Sequence, residues 1–117
     1  MPSQRLTGKK AEDVACSFLQ RNGLSLLQRN YHCRYGEIDL IMQDSDTLVF
    51  VEVRFRSSKM FGSASESVDI NKQQKLVFTA NHYLQKHPTH LPTRFDVVAL
   101  SPHQNPEWIT NAFMESQ

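Results

Sequence analysis

Two acidic residues, Asp39 and Glu52, occupy matching positions of a predicted β-hairpin and could hold a divalent cation. The segment from residue 36 to residue 56 is GEIDLIMQDSDTLVFVEVRFR, in which two strand-like stretches flank a polar turn. A two-residue loop at Ser45–Asp46 places Asp39 directly opposite Glu52. The hairpin therefore predicts a pair of facing carboxylates.

The two faces of this hairpin differ in polarity. One face is predicted to be wholly apolar, with the pairs Ile38–Val53, Leu40–Val51 and Met42–Val49. The other face carries the pairs Ile41–Phe50, Asp39–Glu52 and Glu37–Arg54. A slip of one residue would mismatch the two faces, so the pattern specifies this register.

Facing carboxylates need a compensating interaction. Directly opposed Cβ atoms lie about 4.5–5.5 Å apart, and like charges in such a pair destabilise a sheet. Three arrangements would offset the repulsion between Asp39 and Glu52: a bound cation, a raised pKa on one acid, or salt bridges from Arg54 and its neighbours. Carboxylates on strands suit Mg²⁺ or Mn²⁺. The pattern predicts a metal site, with a metal-free cluster of Asp39, Glu52 and Arg54 as the alternative.

The elements that must position these acids follow from hydrophobic periodicity and turn residues. Helices are predicted over Lys9–Asn22 and over Ile70–Lys86, the second with Asp69 as its N-cap. Strands are predicted over Leu24–Tyr31, Gly36–Met42, Thr47–Phe55 and Arg94–Leu100, with a short edge strand at Trp108–Ile109. The order α-β-β-β-α-β predicts an α/β fold with helices packed on a central mixed sheet.

Composition places the chain among ordinary globular proteins. Its 117 residues, 39% of them hydrophobic, suit one domain spanning residues 1–117. No stretch approaches the ~18 apolar residues of a membrane helix, and Met1–Lys10 lacks the apolar core of a signal peptide. We therefore expect a cytoplasmic protein with no membrane partner. A net charge of +1 does not indicate nucleic acid by itself, so any such function depends on a local site.

The hairpin also carries a family signature. The runs GEIDLI, from Gly36, and LVFVEVR, from Leu48, resemble the signature of the YraN-like bacterial family. That family is related to archaeal Holliday-junction resolvases within the restriction-endonuclease-like, PD-(D/E)xK, nuclease superfamily. The resemblance implies a restriction-endonuclease-like core and a Mg²⁺- or Mn²⁺-dependent endonuclease that hydrolyses DNA phosphodiester bonds, with branched or structured DNA as a candidate substrate.

The resemblance assigns roles to particular residues. It implies that Asp39 is the metal-binding aspartate and that Glu52 is the glutamate of the ExK element. Glu12, on the first predicted helix, matches an acid that completes the metal site in resolvase-type relatives, although a solvated helix residue is the simpler interpretation. Lys72 and Lys75 match a helix position that often carries Lys or Gln near the site.

Arg54 departs from the family pattern, because the third member of ExK is usually lysine. Arginine stays protonated and cannot serve as a base, but its guanidinium can clamp phosphate oxygens. We therefore expect the cation to activate the attacking water and Arg54 to stabilise charge in the transition state. Loss of catalysis is the other outcome that this substitution allows.

The expected partner is DNA. Basic residues that could contact backbone phosphates are Arg54, Arg56, Lys59, Lys72 and Lys75. A homodimer is left open, because resolvase-type relatives pair two sites across a twofold axis. The competing functions are a non-catalytic nucleic-acid-binding or protein-docking module on the same fold, and an interaction protein whose acid pair is only structural.

Overall fold

A computed structural model describes residues 8–55, 68–102 and 105–113 of the chain. The helices are α1 (Gly8–Arg21) and α2 (Ile70–Lys86). The strands are β1 (Ser25–Cys33), β2 (Gly36–Asp44), β3 (Thr47–Phe55), β4 (Thr93–Leu100) and β5 (Glu107–Phe113). The mixed α/β fold expected from the sequence is confirmed, with β5 longer than the short edge strand that was predicted.

The strands form one five-stranded sheet in the order β1-β2-β3-β4-β5. Strands β3 and β4 are parallel, and the other neighbours are antiparallel. Helix α2 lies between β3 and β4 in the chain, because two parallel neighbours need a long crossover connection. This connection places the first turn of α2 near the carboxyl end of β3.

The two helices cover opposite faces of the sheet. The α1-side cluster includes Ala11, Ala15, Cys16 and Leu19 of the helix and Leu40, Met42, Val49 and Val51 of the hairpin. The α2-side cluster includes Leu76, Ala80 and Tyr83 of the helix and Ile38, Ile41, Phe50 and Val97 of the sheet. Burial on both faces explains why the hairpin strands are so rich in apolar residues.

The hairpin register is confirmed at its turn end and differs at its open end. The pairs Leu40–Val51 to Asp44–Thr47 form as predicted, with Ser45 in the left-handed region at φ 56°. Within residues 36–55, no register pair joins β2 to β3 beyond Leu40–Val51.

The reason for the difference is a side chain that replaces a backbone partner. The Val53 N–H donates to Asp39 Oδ2 at 2.8 Å. Ile38 packs in the α2-side cluster while Leu40 packs in the α1-side cluster, contrary to the predicted apolar face, and Val53 packs against the α1-side cluster. The two strands separate where the acids lie.

A buried carboxylate, Asp96, fixes the far edge of the sheet. Its oxygens accept from Arg94 Nε at 2.9 Å, from Trp108 Nε1 at 2.9 Å and from the Asn111 N–H at 2.9 Å. Arg94 also pairs with Asp44 at 3.0 Å, which ties β4 to β2. Asp96 has no exposed surface, so these donors stand in for water around a buried charge.

Candidate functional site

Asp39 lies at the point where β2 and β3 separate. One carboxylate oxygen accepts the Val53 N–H, so the side chain sits in the gap that a backbone pair would otherwise fill. The hydrogen bond fixes the direction of the carboxyl group without neutralising it. Asp39 is therefore an acid held between two strands by a rigid backbone donor.

Glu52 is buried, with 5% of its side chain exposed, and two cations contact it. Lys72 Nζ lies 3.1 Å from Glu52 Oε2, and Arg54 Nη1 lies 3.6 Å from the same atom. Lys72 reaches the site from the first turn of α2, where its N–H is capped by Asp69 at 2.8 Å. The predicted N-cap thus also sets the position of a lysine at the acid pair.

The two acids interact directly. The pKa of Asp39 is raised from 3.8 to about 7, chiefly by burial and next by the neighbouring charge of Glu52. The Val53 N–H acts in the opposite sense, while the Glu12 charge and a hydrogen bond with Glu52 add to the rise in the pKa. Near neutral pH a proton or another cation therefore stabilises the Asp39–Glu52 pair.

Glu12 approaches the acid pair but faces a different partner. Its carboxylate lies 3.5 Å from Arg29 Nη2, while Arg29 Nη1 lies 2.6 Å from Asp13 Oδ1. The Glu12 charge is still near enough to raise the pKa of Asp39. Across residues 8–55, 68–102 and 105–113, no three His, Cys, Asp or Glu side chains are arranged as metal ligands. The geometry thus brings two acids together, with Glu12 close by.

Arg29 is the residue whose role sequence reasoning missed. It lies on β1 beside Asn30, which has a positive φ of 55°. Its Nε is buried and has no hydrogen-bond partner among the described residues. The available sequence signal was a basic residue next to an asparagine within a predicted strand. The contact of Arg29 with α1 could not be predicted, because it depends on how the helix packs on the sheet.

The other predicted site residues divide into three groups. Arg54 and Lys72 contact Glu52, as described above. Lys75 is exposed on α2, and its Cβ lies 3.8 Å from where a Cβ on Gly36 would be. Arg56 and Lys59 lie outside the described residues.

Asp39→Asn should change how stability depends on pH. Because the folded-state pKa is raised to about 7 from 3.8, the folded protein holds more protons than the unfolded chain between these values. The contribution of Asp39 to the free energy of unfolding therefore falls as pH rises from the unfolded pKa to the folded pKa. As pH rises from about 4 to about 7, we expect Asp39→Asn to gain about 2 kcal/mol in free energy of unfolding relative to wild type, measured by urea unfolding.

The variant keeps an oxygen that can accept the Val53 N–H, so its hydrogen bond is preserved. Glu37→Gln, at an exposed glutamate on the same strand, is the control and should show no such gain. If Asp39→Asn instead loses several kcal/mol without metal, the acid pair is a structural ion-pair cluster.

The fold and this geometry define a mixed α/β protein with paired carboxylates where two central strands separate. The chain belongs to the family described as Uncharacterised protein family UPF0102, whose model matches residues 11–100. This confirms the YraN-like family membership that the hairpin signature indicated. In the described part of the chain, neither helix is long and apolar enough to span a membrane.

Relatives match over nearly their whole length. A UPF0102 protein of Nitrosomonas europaea is 52% identical over 118 residues, covering 99% of this chain and all of the relative. One from Saccharophagus degradans is 54% identical over 115 residues, covering 97% of each chain. One from Alcanivorax borkumensis is 47% identical over 117 residues, covering 95% of this chain and 94% of the relative.

Proposed function

We propose that this protein is a divalent-metal-dependent endonuclease, with a restriction-endonuclease-like core, that hydrolyses phosphodiester bonds of DNA in the cytoplasm. The observation that carries the proposal is the close approach of Asp39 to Glu52, which helps raise the pKa of Asp39 to about 7. Two acids kept together against their repulsion form a site that gains stability when a divalent cation binds. Many enzymes that cut phosphodiesters use such cations.

The residues fit Mg²⁺ or Mn²⁺. Such ions usually take one or two protein carboxylates and complete their coordination with water and substrate phosphate. Asp39 and Glu52 supply those two, and Glu12 remains a proposed third ligand because it would first have to leave Arg29. The bound cation would polarise the phosphate and lower the pKa of the attacking water.

The positively charged side chains around Glu52 would contact the phosphate of the DNA substrate. Arg54, at 3.6 Å from Glu52, can turn its guanidinium toward phosphate oxygens and stabilise the charge that develops on them. Lys72, at 3.1 Å, brings to the site from α2 the ammonium that the ExK pattern normally supplies from the strand. Lys72 and Lys75, with Arg56 and Lys59, are the proposed contacts to the DNA backbone.

Arg54 substitutions test this assignment. Arg54→Lys should retain cleavage or increase it, because lysine supplies the positive charge and restores the usual motif. Arg54→Ala should lose about 2–4 kcal/mol of transition-state stabilisation, the scale of one preorganised electrostatic contact. The measurement is kcat/KM on a cleaved DNA substrate, with Arg21→Ala as a charge-matched control at an exposed position in the last turn of α1. Equal losses of kcat/KM in Arg54→Ala and Arg21→Ala would show that Arg54 has no specific catalytic role.

A second candidate is a non-catalytic nucleic-acid-binding or protein-docking module on the same fold. The observation that favours it is the neutralisation of Glu52 by Lys72 and Arg54, which leaves less negative charge for a cation. The presence of Arg54 where the ExK pattern has lysine also favours a non-catalytic module. Such a module would bind its partner without a metal.

A cleavage assay separates the two candidates. Purified protein is incubated with duplex, single-stranded and four-way DNA, each with Mn²⁺, with Mg²⁺ and with EDTA. The nuclease proposal expects cutting of at least one substrate that EDTA abolishes. If no substrate is cut with either metal, Arg54→Lys does not create cutting, and DNA affinity is indifferent to EDTA, the binding module is correct.

A further inference from the structure

A cleft of about 470 Å³ lies between α2 and the turn that joins β1 to β2. Its lining includes Arg34 and Tyr35 of the turn and Phe78, His82 and Gln85 of the helix. None of the described residues that line it is acidic. The cleft combines planar apolar surface, a guanidinium and an amide, a mixture that suits an anionic ligand with an aromatic ring.

Two exposed aromatic rings form one wall of the cleft. Tyr35 is 39% exposed and Phe78 is 54% exposed, and their ring centroids lie 5.5 Å apart with planes inclined at 42°. Large apolar side chains left open together in a concave surface are typical of a binding site. The two rings offer a face on which a further ring can stack.

Tyr35 and His82 are held by other side chains before any ligand arrives. The Arg34 guanidinium lies 5.2 Å from the centre of the Tyr35 ring and donates a hydrogen bond to its hydroxyl at 3.2 Å. On the helix side, His82 is hydrogen-bonded through Nδ1 to the buried Tyr31 hydroxyl at 2.5 Å. A preorganised surface loses less conformational entropy when it binds.

Helix α2 contributes residues both to the acid pair and to the cleft. Lys72, which contacts Glu52, is followed along the helix at intervals of three residues by Lys75 and Phe78. At 1.5 Å per residue, Phe78 lies about 9 Å along the helix axis from Lys72. Gly36, which follows Tyr35, lies against α2 at Lys75 and Thr79, so the start of β2 and the helix are in close contact beside the cleft.

We propose that this cleft binds an unpaired nucleobase of the DNA substrate, stacked on Tyr35 and Phe78, with Arg34 contacting an adjacent phosphate. Base–aromatic stacking tolerates any sequence because every base has a π-face, but it requires a base whose face is not covered by its neighbours. The proposal rests on the proposed nuclease function and specifies its substrate class. The DNA that is cut then carries unpaired nucleotides.

The test measures stacking without cleavage. A single-stranded oligothymidylate containing one 2-aminopurine is titrated with protein in EDTA, and both anisotropy and 2-aminopurine fluorescence are recorded. Wild type should quench the fluorescence, and a blunt duplex containing the same base should bind more weakly without a further quench. Phe78→Ala should lose the quench and bind the single strand about 10-fold more weakly, the scale of one lost base–aromatic stack.

Controls separate stacking from general damage. Phe78→Tyr should keep the quench, because it keeps the ring. Leu27→Ala removes a comparably exposed apolar side chain from β1 outside the cleft and should behave as wild type. No quench with wild type, or an equal quench in Phe78→Ala, overturns the proposal. Self-association of wild type that Phe78→Ala abolishes, without any quench, assigns the cleft to a second copy and also overturns it.

The test also distinguishes this inference from the proposed function. A quench that depends on Phe78, in a protein that cuts no DNA with Mn²⁺ or Mg²⁺, supports the base site and rejects the nuclease. Metal-dependent cutting that is unchanged in Phe78→Ala, without a quench, rejects the base site and supports the nuclease.

Discussion

Glu52→Gln should reduce metal-dependent DNA cleavage by about 100-fold or more, the scale on which loss of one preorganised charge lowers kcat. The substitution removes the carboxylate that would share a cation with Asp39, while the side chain keeps nearly the same size. DNA affinity in EDTA should stay close to that of wild type, because phosphate contacts elsewhere carry it. Cleavage is measured under single-turnover conditions, and binding by fluorescence anisotropy.

A second measurement and a control variant make the Glu52→Gln result specific to the metal site. The rise in thermal midpoint that Mn²⁺ causes in wild type should shrink in the variant, because a cation stabilises only to the extent that it binds the folded state. Glu37→Gln makes the same chemical change at an exposed position and should leave cleavage intact. Full cleavage by Glu52→Gln would place the metal site elsewhere in the chain.

Asp96→Asn should lower the free energy of unfolding by about 3–5 kcal/mol, the scale for breaking one partner of a buried ion pair. Arg94, Trp108 and the Asn111 N–H all donate to this carboxylate, and an amide presents one oxygen and a competing NH₂ group. The half-buried Arg94 would be left with Asp44 as its remaining acidic partner. Urea unfolding at about pH 7 measures the loss.

The control for Asp96→Asn is Asp46→Asn, which makes the same change at an exposed turn residue. It should alter the free energy of unfolding by no more than about 0.5 kcal/mol. A comparably small effect of Asp96→Asn would mean that the donors around Asp96 find water or other acceptors without loss.

Much of the fold followed from local patterns. The α2 start at Ile70 was predicted from Asp69, whose side chain caps Lys72 in the structure. The hairpin turn at Ser45 was predicted from a polar stretch between two apolar strands, and the pairs nearest the turn have the expected register. These features depend on residues close together in the chain, so sequence alone can specify them.

Other elements departed from their local pattern. Val14 has the spacing of the apolar face of α1 but is 42% exposed, since the helix packs on the sheet through Ala11, Ala15 and Leu19. Strand β5 runs to Phe113, well beyond the two residues predicted. Its backbone at Asn111 binds Asp96, a partner fifteen residues earlier that periodicity does not reveal.

The amino-acid sequence by itself determined that Asp39 and Glu52 would lie on neighbouring antiparallel strands, because strand alternation and one short turn specify the pairs from Leu40–Val51 to Asp44–Thr47. The direct Asp39–Glu52 pair that the same pattern predicted is not formed, since the strands separate beyond Leu40–Val51 and the Val53 N–H donates to Asp39 instead. Only the tertiary structure decided what surrounds them. Lys72 reaches Glu52 through the β3–α2–β4 crossover, and Arg29 holds Glu12 because α1 packs across β1. Such contacts join residues far apart in the chain, so the packing of helices on the sheet determines them and periodicity does not.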